Sequence, residues 1–406
     1  MKYYSNPLSV TSQFYHCSVP FRLDTYRGCY YDCAYCFATE LNHKSGFTSI
    51  MPADYKVIKS LLDRALSKGK KSTNVAVQML RRRVPIHFGG LSDPFQPIEK
   101  SYSITLKTMS LLLKYDYPTI FSTKSALIIE EPYFRVLKQM RNKAVQISLI
   151  TSDDKIRMKF EPKANTVSER LEIIRELASS GIWASCRIQP LIPFVNNADM
   201  ELIDSLADVG CKHVIIEHYK LPSFLSKKSE ERLDSLCDYK IGQYYRRRRK
   251  KNRSAFWELQ PTEKADNLRE LVKHIRKRKM TFGAADNDLH DLGDSCCCCG
   301  VDGLTGFANV YLHHNAKAVT YGKINKSITY SSIEHEWCSD GSVREIVNYE
   351  CRQNKLYLRS MSDFIKAKWN SPYTKNSPTD MANVQPSGML DENGNIIYKY
   401  TNEFRV

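Results

Sequence analysis

The residues best suited to chemistry in this chain are three closely spaced cysteines, Cys29, Cys33 and Cys36. Their C-x3-C-x2-C spacing puts three thiolates on one short loop. A four-iron [4Fe-4S] cluster held by three thiolates keeps one iron without a protein ligand. An open iron can bind a substrate or cofactor, as the open position of a catalytic zinc does. Structural zinc usually takes four ligands with C-x2-C pairs, so the spacing favours an iron–sulfur cluster over zinc or free buried thiols.

The segment around these cysteines, residues 26–38, resembles the cluster motif of the radical S-adenosylmethionine (SAM) enzymes. Residues 89–99, 122–125, 161–162 and 169–170 narrow the resemblance to the spore photoproduct lyase-like branch. The resemblance covers roughly residues 20–220. It implies reductive cleavage of SAM to a 5′-deoxyadenosyl radical, which abstracts hydrogen from the substrate. Spore photoproduct lyase repairs a methylene-linked thymine dimer in DNA.

The resemblance also implies roles for individual residues of this chain. The three cysteines would hold the [4Fe-4S] cluster, and Tyr35 would lie near the adenine of SAM. The backbone at Gly89 and Gly90 would receive the SAM amino group, where glycine lets the main chain approach closely. Thr151-Ser152 would reach the ribose hydroxyls, and Arg187 would pair with the methionine carboxylate, which suits a guanidinium.

The elements that must position these residues alternate along the chain. Predicted strands at 19–25, 84–90, 119–124, 145–150, 183–189 and 213–217 are separated by segments of helical periodicity. One helix has a capping box, Thr166 with Glu169. Alternating strands and helices imply right-handed βαβ units and a parallel sheet. We therefore predict an α/β fold, a partial (β/α)6 TIM-type barrel like that of the radical SAM family, with its chemistry at the carboxyl ends of the strands.

We predict four regions in the chain. They are an N-terminal segment (1–19), the partial barrel (20–220), a basic helical segment packing on the barrel (221–285) and a cysteine-rich C-terminal extension (286–406). Residues 280–285 are a candidate for one more strand, and Asn393-Gly394 indicates a hairpin. The chain departs from the pattern of the lyase-like branch in its arginine-rich block, its four-cysteine run and its long extension.

Positive charge is concentrated in one part of the chain. The formal net charge is +16, and residues 240–280 contain fifteen Lys or Arg against four Asp or Glu, which leaves +11 there. Such a block is typical of proteins that bind polyanions, although charge runs are also common in solvated segments. Aromatic residues beside it would let bases stack. The predicted nucleic-acid contacts are Tyr244, Tyr245, Arg246, Arg247, Arg248, Arg249, Lys250, Lys251 and Trp257.

A second group of cysteines lies near the C-terminus. Cys296, Cys297, Cys298 and Cys299 are adjacent, and Cys338 and Cys351 follow. Two or three of these thiols could bind a second iron–sulfur cluster or a zinc. A thiol that donates a hydrogen atom, and a set of free thiols in a tight turn, are the alternatives. Metal binding is favoured slightly, because such a density of thiols is hard to explain by packing.

The rest of the composition bears on where the chain works. Its first residues have no apolar signal core, and no run is long enough for a membrane span. Thirteen cysteines in such a chain fit a reducing compartment with metal-bound and free thiols. We expect a cytoplasmic protein with no membrane contact. The reductive chemistry requires an electron donor such as flavodoxin or ferredoxin.

These observations favour a radical SAM enzyme that acts on DNA or RNA, in DNA repair or base modification. A first alternative is a radical SAM enzyme that acts on a peptide, a protein or a small metabolite, with the basic block binding a partner or an acidic substrate. A second alternative is a metal-stabilised nucleic-acid-binding protein without catalysis. That alternative predicts zinc in place of iron and no SAM binding.

Overall fold

The computed structural model describes residues 3–11, 16–67, 72, 75–248, 255–307, 322–332, 361–374 and 376–406. The strands are β1 (Leu8–Val10), β2 (Phe21–Leu23), β3 (Tyr26–Arg27), β4 (Met51–Pro52), β5 (Ile86–Phe88), β6 (Thr119–Thr123), β7 (Lys143–Ser148), β8 (Ala184–Leu191), β9 (His213–His218), β10 (Leu221–Pro222), β11 (Phe256–Trp257), β12 (Thr281–Ala284), β13 (Ser327–Ile328), β14 (Val384–Leu390) and β15 (Ile396–Tyr400).

The α-helices are α1 (Phe37–Lys44), α2 (Tyr55–Leu66), α3 (Val75–Arg81), α4 (Glu99–Tyr102), α5 (Ile104–Lys114), α6 (Tyr133–Gln139), α7 (Asp154–Phe160), α8 (Val167–Ser179), α9 (Met200–Asp208), α10 (Lys227–Cys237), α11 (Ile241–Arg248), α12 (Pro261–Lys277) and α13 (Met361–Trp369). Short 3-10 helices lie at Ala126–Ile129, Asn287–Leu292, Tyr330–Ser332 and Pro378–Asp380. Within these residues, no helix combines the length and the hydropathy that crossing a bilayer requires.

The main sheet has eight strands in the order β1-β2-β5-β6-β7-β8-β9-β12. Strand β1 runs antiparallel to β2, and all the other neighbours are parallel. This confirms the predicted α/β class with a mostly parallel, barrel-type sheet. Strand β12 is the additional strand expected near residues 280–285, and it pairs with β9. The four-region division of the chain stays a prediction.

Helix α8 shows how local sequence fixes an element. The amide of Glu169 donates to Thr166 Oγ1 at 3.2 Å, and the amide of Thr166 donates to Glu169 Oε2 at 2.7 Å. This confirms the capping box. Apolar residues at helical spacing, including Ile173, Ile174 and Leu177, are buried against the sheet. The cap and the apolar face therefore specify the same helix.

The two faces of the parallel strands differ in chemistry. One face packs on the helices and contributes Phe21, Phe88 and Val145 to the main hydrophobic cluster. Alternate residues point to the other face. Its polar strip, defined here as Arg22, His87, Ser122, Gln146 and Arg187, lies on five consecutive strands. Contacts within the strip include His87 Nε2 to Ser122 Oγ at 2.7 Å and Ser122 Oγ to Gln146 Oε1 at 3.1 Å.

The four-cysteine run lies at the amino end of this polar face. Cys297 and Cys299 are buried in a small cluster with Ile120 and Ala144, near the amino ends of β6 and β7. His213 Nε2 lies 2.8 Å from the carbonyl oxygen of Cys298. Part of the predicted C-terminal extension therefore packs at the end of the sheet opposite to the carboxyl ends of the strands.

The C-terminal residues form a small antiparallel sheet in the order β13-β15-β14. Strands β14 and β15 pair with Val384 opposite Tyr400 and Leu390 opposite Ile396. Gly394 has a φ of +76° in the connecting turn. The hairpin predicted from Asn393-Gly394 is confirmed, because glycine tolerates the left-handed backbone that the turn requires.

Candidate functional site

The predicted cluster cysteines lie on the loop that joins β3 to α1, beyond the carboxyl end of β2. All three thiols are partly exposed, and Cys36 is the N-cap residue of α1. Burial raises the pKa of Cys29 to about 12 and also raises the pKa of Cys33. Desolvation is the largest cause of both shifts, and the charge of Cys36 is a smaller one. The uncoordinated thiols of Cys29 and Cys33 are therefore protonated at neutral pH.

The three cysteines of this loop are the candidate ligands of a cluster. Across the described ranges, no group of three or more His, Cys, Asp or Glu side chains is already arranged as a metal site. The donor chemistry nevertheless fits, because three cysteines lie on one short loop and none of the three residues is fully buried. Metal ligation would require their deprotonation. Lys124 favours this at Cys33, since its positive charge opposes the burial that raises the pKa of that thiol.

Hydrogen bonds hold the cysteine loop on two sides. The amide of Tyr30 donates to Gln96 Oε1 at 2.8 Å, and Gln96 Nε2 donates to the carbonyl of Gly28 at 3.3 Å. The amide of Ala34 donates to the carbonyl of Phe160 at 2.8 Å, at the end of α7. The thiols are thus positioned by groups distant in sequence.

A buried ionic network lies against this loop. Glu161 and Arg170 are both fully buried and form an ion pair at 2.6 Å. Lys124 Nζ lies 3.5 Å from the same carboxylate, and the Tyr35 hydroxyl donates to it. Burial opposes ionisation of Glu161, but Arg170 and Lys124 outweigh it and hold the pKa of the carboxyl below its ordinary value. The adenine contact of Tyr35 stays a prediction, and the structure adds Glu161 as the partner of its hydroxyl.

Two glycines follow β5 where the backbone has no room for a side chain. Gly89 has a φ of +91°, and a Cβ there would lie 2.6 Å from the Ser122 carbonyl oxygen and 2.7 Å from Pro94. A Cβ on Gly90 would lie 2.8 Å from Arg22 Cδ. The backbone therefore requires glycine at position 89, whereas a Cβ at position 90 would displace the Arg22 side chain. The predicted SAM contact of their backbone stays a prediction.

The predicted ribose contacts share one carboxylate. Thr151 Oγ1 donates to Asp199 Oδ2 at 3.0 Å, and Ser152 Oγ donates to Asp199 Oδ1 at 2.7 Å. Asp199 also caps α9 by accepting from the Leu202 amide at 2.9 Å. A ribose at this point would meet Asp199 as well as the two hydroxyls. Asp199 was not among the predicted site residues, because an aspartate in an N-cap position has a structural explanation of its own.

Arg187 lies on the polar face of the sheet. The sequence of β8 alone did not determine to which face of the sheet the Arg187 side chain points. The structure determines it, because Arg187 Nη1 lies 3.3 Å from His87 Nε2. The guanidinium also donates to Gln189. Arg187 therefore faces the side of the sheet that carries the polar strip. Its pairing with the methionine carboxylate stays a prediction.

We expect acid to destabilise the protein through His87. Burial, with the positive charge of Arg187, lowers the pKa of His87 to about 3. An unfolded histidine has a pKa near 6.5. Between about pH 6.5 and 3 the unfolded chain thus binds a proton that the folded chain does not. Stability from this group is complete above pH 6.5 and falls as the pH drops, by about 2 kcal/mol at pH 5.

Urea unfolding of the wild type and of His87→Gln at pH 7.5 and pH 5.0 measures this effect. The variant should lose less stability on acidification than the wild type. His290, whose pKa burial lowers to about 4, contributes in the same direction and remains in the variant. His43→Gln, at an exposed histidine on α1, is the control. Identical pH dependence in His87→Gln and the wild type would contradict the assignment.

The predicted basic segment packs directly on the cysteine loop. Arg232 of α10 lies 3.5 Å from Asp32, and Ser229 Oγ donates to Glu40 Oε1 at 2.6 Å. Helices α10 and α11 also share a hydrophobic cluster with Tyr35. The arginines at the end of α11 thus belong to an element fastened to the rim of the candidate site.

The predicted nucleic-acid residues have different surroundings. Tyr244 is half-buried with the Arg248 guanidinium 4.3 Å from its ring centroid, and Arg246 lies 5.2 Å from the Trp257 ring. Arg246, Arg247 and Arg248 are exposed. Tyr245 is fully buried in the cluster beneath α11, so its predicted role in base stacking is wrong. Arg249, Lys250 and Lys251 lie outside the described residues.

The second cysteine group is only partly described. Cys297, Cys298 and Cys299 are close enough for thiol hydrogen bonds between them. They lie at the amino end of the polar face, whereas the Cys29 loop lies at the carboxyl end. Cys338 and Cys351 are outside the described residues. The second metal site therefore stays a prediction, and the structure separates it from the first cysteine loop.

Comparison with known proteins gives a family match and several relatives. Residues 23–207 match the model of the radical SAM superfamily. The chain is 26% identical over 193 residues to a radical SAM Nalpha-GlyT isomerase of Pseudomonas phage M6, covering 47% of this chain and 37% of that protein. It is 25% identical over 203 residues to an uncharacterized protein of Mycobacterium tuberculosis, covering 48% and 56%. The match thus spans less than two thirds of either relative.

Solved structures with a similar fold include spore photoproduct lyase complexed with a dinucleoside spore photoproduct. That structure has a TM-score of 0.45 and 14% sequence identity, with 64% of this chain and 73% of that chain covered. Streptococcus suis SuiB bound to precursor peptide SuiA also matches, with a TM-score of 0.35 and 16% identity, covering 51% of this chain and 41% of that chain.

Proposed function

We propose that the protein is a radical SAM enzyme acting on nucleic acid, because residues 23–207 match the model of the radical SAM superfamily, whose members use a [4Fe-4S] cluster and SAM. The proposal includes the ligation of the cluster by Cys29, Cys33 and Cys36. It also includes the spore photoproduct lyase-like reaction class, as DNA repair or base modification. When bound, the cluster supplies the electron that cleaves SAM to the 5′-deoxyadenosyl radical.

The chain's own residues would bind and orient these groups. The three thiols would hold the cluster, with Lys124 favouring the thiolate at Cys33. Gly89 and Gly90 keep side chains away from the turn beside the loop. Asp199 would accept ribose hydroxyls, as a carboxylate does in dinucleotide sites. On this proposal the substrate enters over the carboxyl ends of the strands.

One observation carries the nucleic-acid part of the proposal. Helix α10, which precedes the basic block and shares a hydrophobic cluster with α11, contacts the cysteine loop through Arg232 with Asp32 and helix α1 through Ser229 with Glu40. The exposed arginines of α11 therefore belong to an element at the rim of the site. Phosphate contacts there would position a strand without specifying its sequence. The family assignment also argues against a binding protein without catalysis.

Neutralising Arg246, Arg247 and Arg248 together to glutamine should weaken binding of a single-stranded oligonucleotide. If each arginine contacts one phosphate, the slope of log affinity against log salt should fall in size by about 2. Fluorescence anisotropy over a series of salt concentrations measures both quantities. The matched control replaces Lys56, Lys59 and Arg64, three exposed basic residues of α2, by glutamine. It removes the same charge from a different helix.

Equal affinity and slope in the wild type and the α11 variant would contradict the nucleic-acid proposal. That outcome would favour a peptide, a protein or a small metabolite as the substrate, with the radical chemistry unchanged. A loss of the same size in the α2 control would mean that only overall charge matters. The α11 segment would then not be the binding element.

A further inference from the structure

An aromatic side chain is displayed to solvent at the carboxyl end of the sheet. Phe194 lies in the loop between β8 and α9 and keeps 71% of its surface exposed. Its φ is +64°, a left-handed conformation that is uncommon for a bulky residue. Its amide donates to Asn197 Oδ1 at 2.8 Å, which helps to hold this conformation. A strained backbone that holds an apolar ring in water suggests a functional position.

Two tyrosines support the exposed ring. The centroid of Phe194 lies 5.6 Å from that of Tyr239 and 5.5 Å from that of Tyr244, with interplanar angles of 90° and 82°. The Tyr239 hydroxyl donates to the carbonyl of Pro193 at 3.1 Å, which ties the loop to the end of α10. Both tyrosines are half-buried in the cluster shared with Tyr35. The three rings form one rigid edge-to-face group.

Positive charge adjoins this group. The Arg248 guanidinium lies 4.3 Å from the Tyr244 ring centroid, and Arg246 and Arg247 are exposed on the same helical turn. Glu230 and Glu263 pair with Arg246 and Arg248, so the turn keeps a net positive charge. Exposed aromatic faces beside guanidinium groups are the combination with which proteins hold single-stranded nucleic acid.

We propose that Phe194, Tyr239 and Tyr244 form a stacking platform for a base of single-stranded or extrahelical nucleic acid. Arg246, Arg247 and Arg248 would contact the adjoining phosphates. This inference rests on the proposed function and adds that the substrate base reaches the site unpaired, in a single strand or flipped out of a duplex. An enzyme that attacks a base needs that base outside the duplex stack. A stacking residue at the carboxyl ends of the β-strands would hold the nucleic-acid strand unstacked on the side of the sheet where the cysteine loop lies.

The test compares Phe194→Ala and Phe194→Trp with the wild-type full chain. The probe is a fluorescein-labelled single-stranded oligonucleotide followed by anisotropy. Phe194→Ala should weaken binding between about fivefold and a hundredfold. Its salt slope should equal that of the wild type, because the arginines remain. Phe194→Trp should bind as tightly as the wild type or more tightly. Wild-type affinity in Phe194→Trp would show that the alanine variant loses affinity because it lacks an aromatic ring, and not because the loop is misfolded.

The matched control is Tyr373→Ala. Tyr373 is 81% exposed, has a φ of +61°, and its amide donates to Thr379 Oγ1 at 2.7 Å. It therefore repeats the exposure and backbone of Phe194 without the arginines of α11. Removal of the Tyr373 ring should leave the affinity for the oligonucleotide unchanged. An equal loss in both alanine variants would overturn the platform, since any exposed ring would then suffice.

The outcomes separate this inference from the proposed function. If the oligonucleotide binds with a salt slope that depends on the α11 arginines, but Phe194→Ala binds as well as the wild type, only the platform is wrong. If the wild type does not bind the oligonucleotide at all, the proposed function fails and the platform with it. If the wild type and Phe194→Ala each bound a duplex as tightly as the single strand, the proposed stacking platform would also be wrong.

Discussion

Replacing Cys33 by alanine should reduce reductive SAM cleavage to background. Two thiolates would remain on the loop, which is too few to hold a [4Fe-4S] cluster with a single open iron. The charges of Lys124 and Glu161, both members of the ionic network, also act on the pKa of Cys33. We expect the variant to lose both cluster absorbance after anaerobic reconstitution and 5′-deoxyadenosine production.

Cys237→Ala is the control for this experiment. Cys237 is buried in α10 and belongs to the hydrophobic cluster beneath that helix. Its replacement removes one thiol and leaves the cysteine loop intact, so reconstitution and SAM cleavage should persist. Normal SAM cleavage by Cys33→Ala would show that the loop is not the cluster site. Loss of cleavage in both variants would point to general damage by cysteine removal.

Replacing Arg170 by methionine should destabilise the protein by about 3–5 kcal/mol. Arg170 is fully buried and pairs with the fully buried Glu161 at 2.6 Å. Without the guanidinium, the Glu161 carboxylate remains inside the protein, and among the described residues Lys124, at 3.5 Å, is its remaining charged partner. The same carboxylate holds the Tyr35 hydroxyl, so SAM cleavage should fall as well. Urea unfolding at pH 7.5 measures the change in the free energy of unfolding.

Two further variants make this prediction specific. Arg175→Met removes an exposed ion pair with Glu172 from the same helix and should cost at most about 1 kcal/mol. The double variant Glu161→Gln with Arg170→Met should be less destabilised than Arg170→Met, because no unpaired buried carboxylate remains. Equal losses for Arg170→Met and Arg175→Met would contradict the buried network.

The sequence predicted those parts of the site that depend on local pattern. The cysteine spacing, the glycines after β5 and the capping box of α8 each involve residues close together in the chain. The alternation of strands and helices predicted which ends of the strands would carry the distinctive residues. Strand β12 was foreseen from its own short apolar run.

The contacts that assemble the site could not be predicted in this way. Asp199 meets Thr151 because the loops that follow the neighbouring strands β7 and β8 adjoin. Glu161, the C-cap residue of α7, meets Lys124 because α7 ends beside the carboxyl end of β6. The direction of Arg187 depends on which face of the sheet is concave, which one strand does not reveal.

The burial of Tyr245 had a signal that was missed. Ile241 and Tyr245 are four residues apart in α11, so they lie on one face of the helix, and both are buried. Tyr244, one position earlier, lies to the side of that face. The adjacent arginines favoured the prediction that both tyrosines are exposed. The helical spacing nevertheless indicates that Tyr244 and Tyr245 lie on different sides of α11.

The most direct test of the radical SAM assignment is the metal content of the full chain after anaerobic reconstitution, followed by reduction with SAM. We predict about four irons and four sulfides per chain, with 5′-deoxyadenosine as a product. About eight irons would assign a second cluster, with the C-terminal cysteines as its candidate ligands. Zinc without iron, together with intact SAM, would contradict the account and leave a metal-stabilised binding protein.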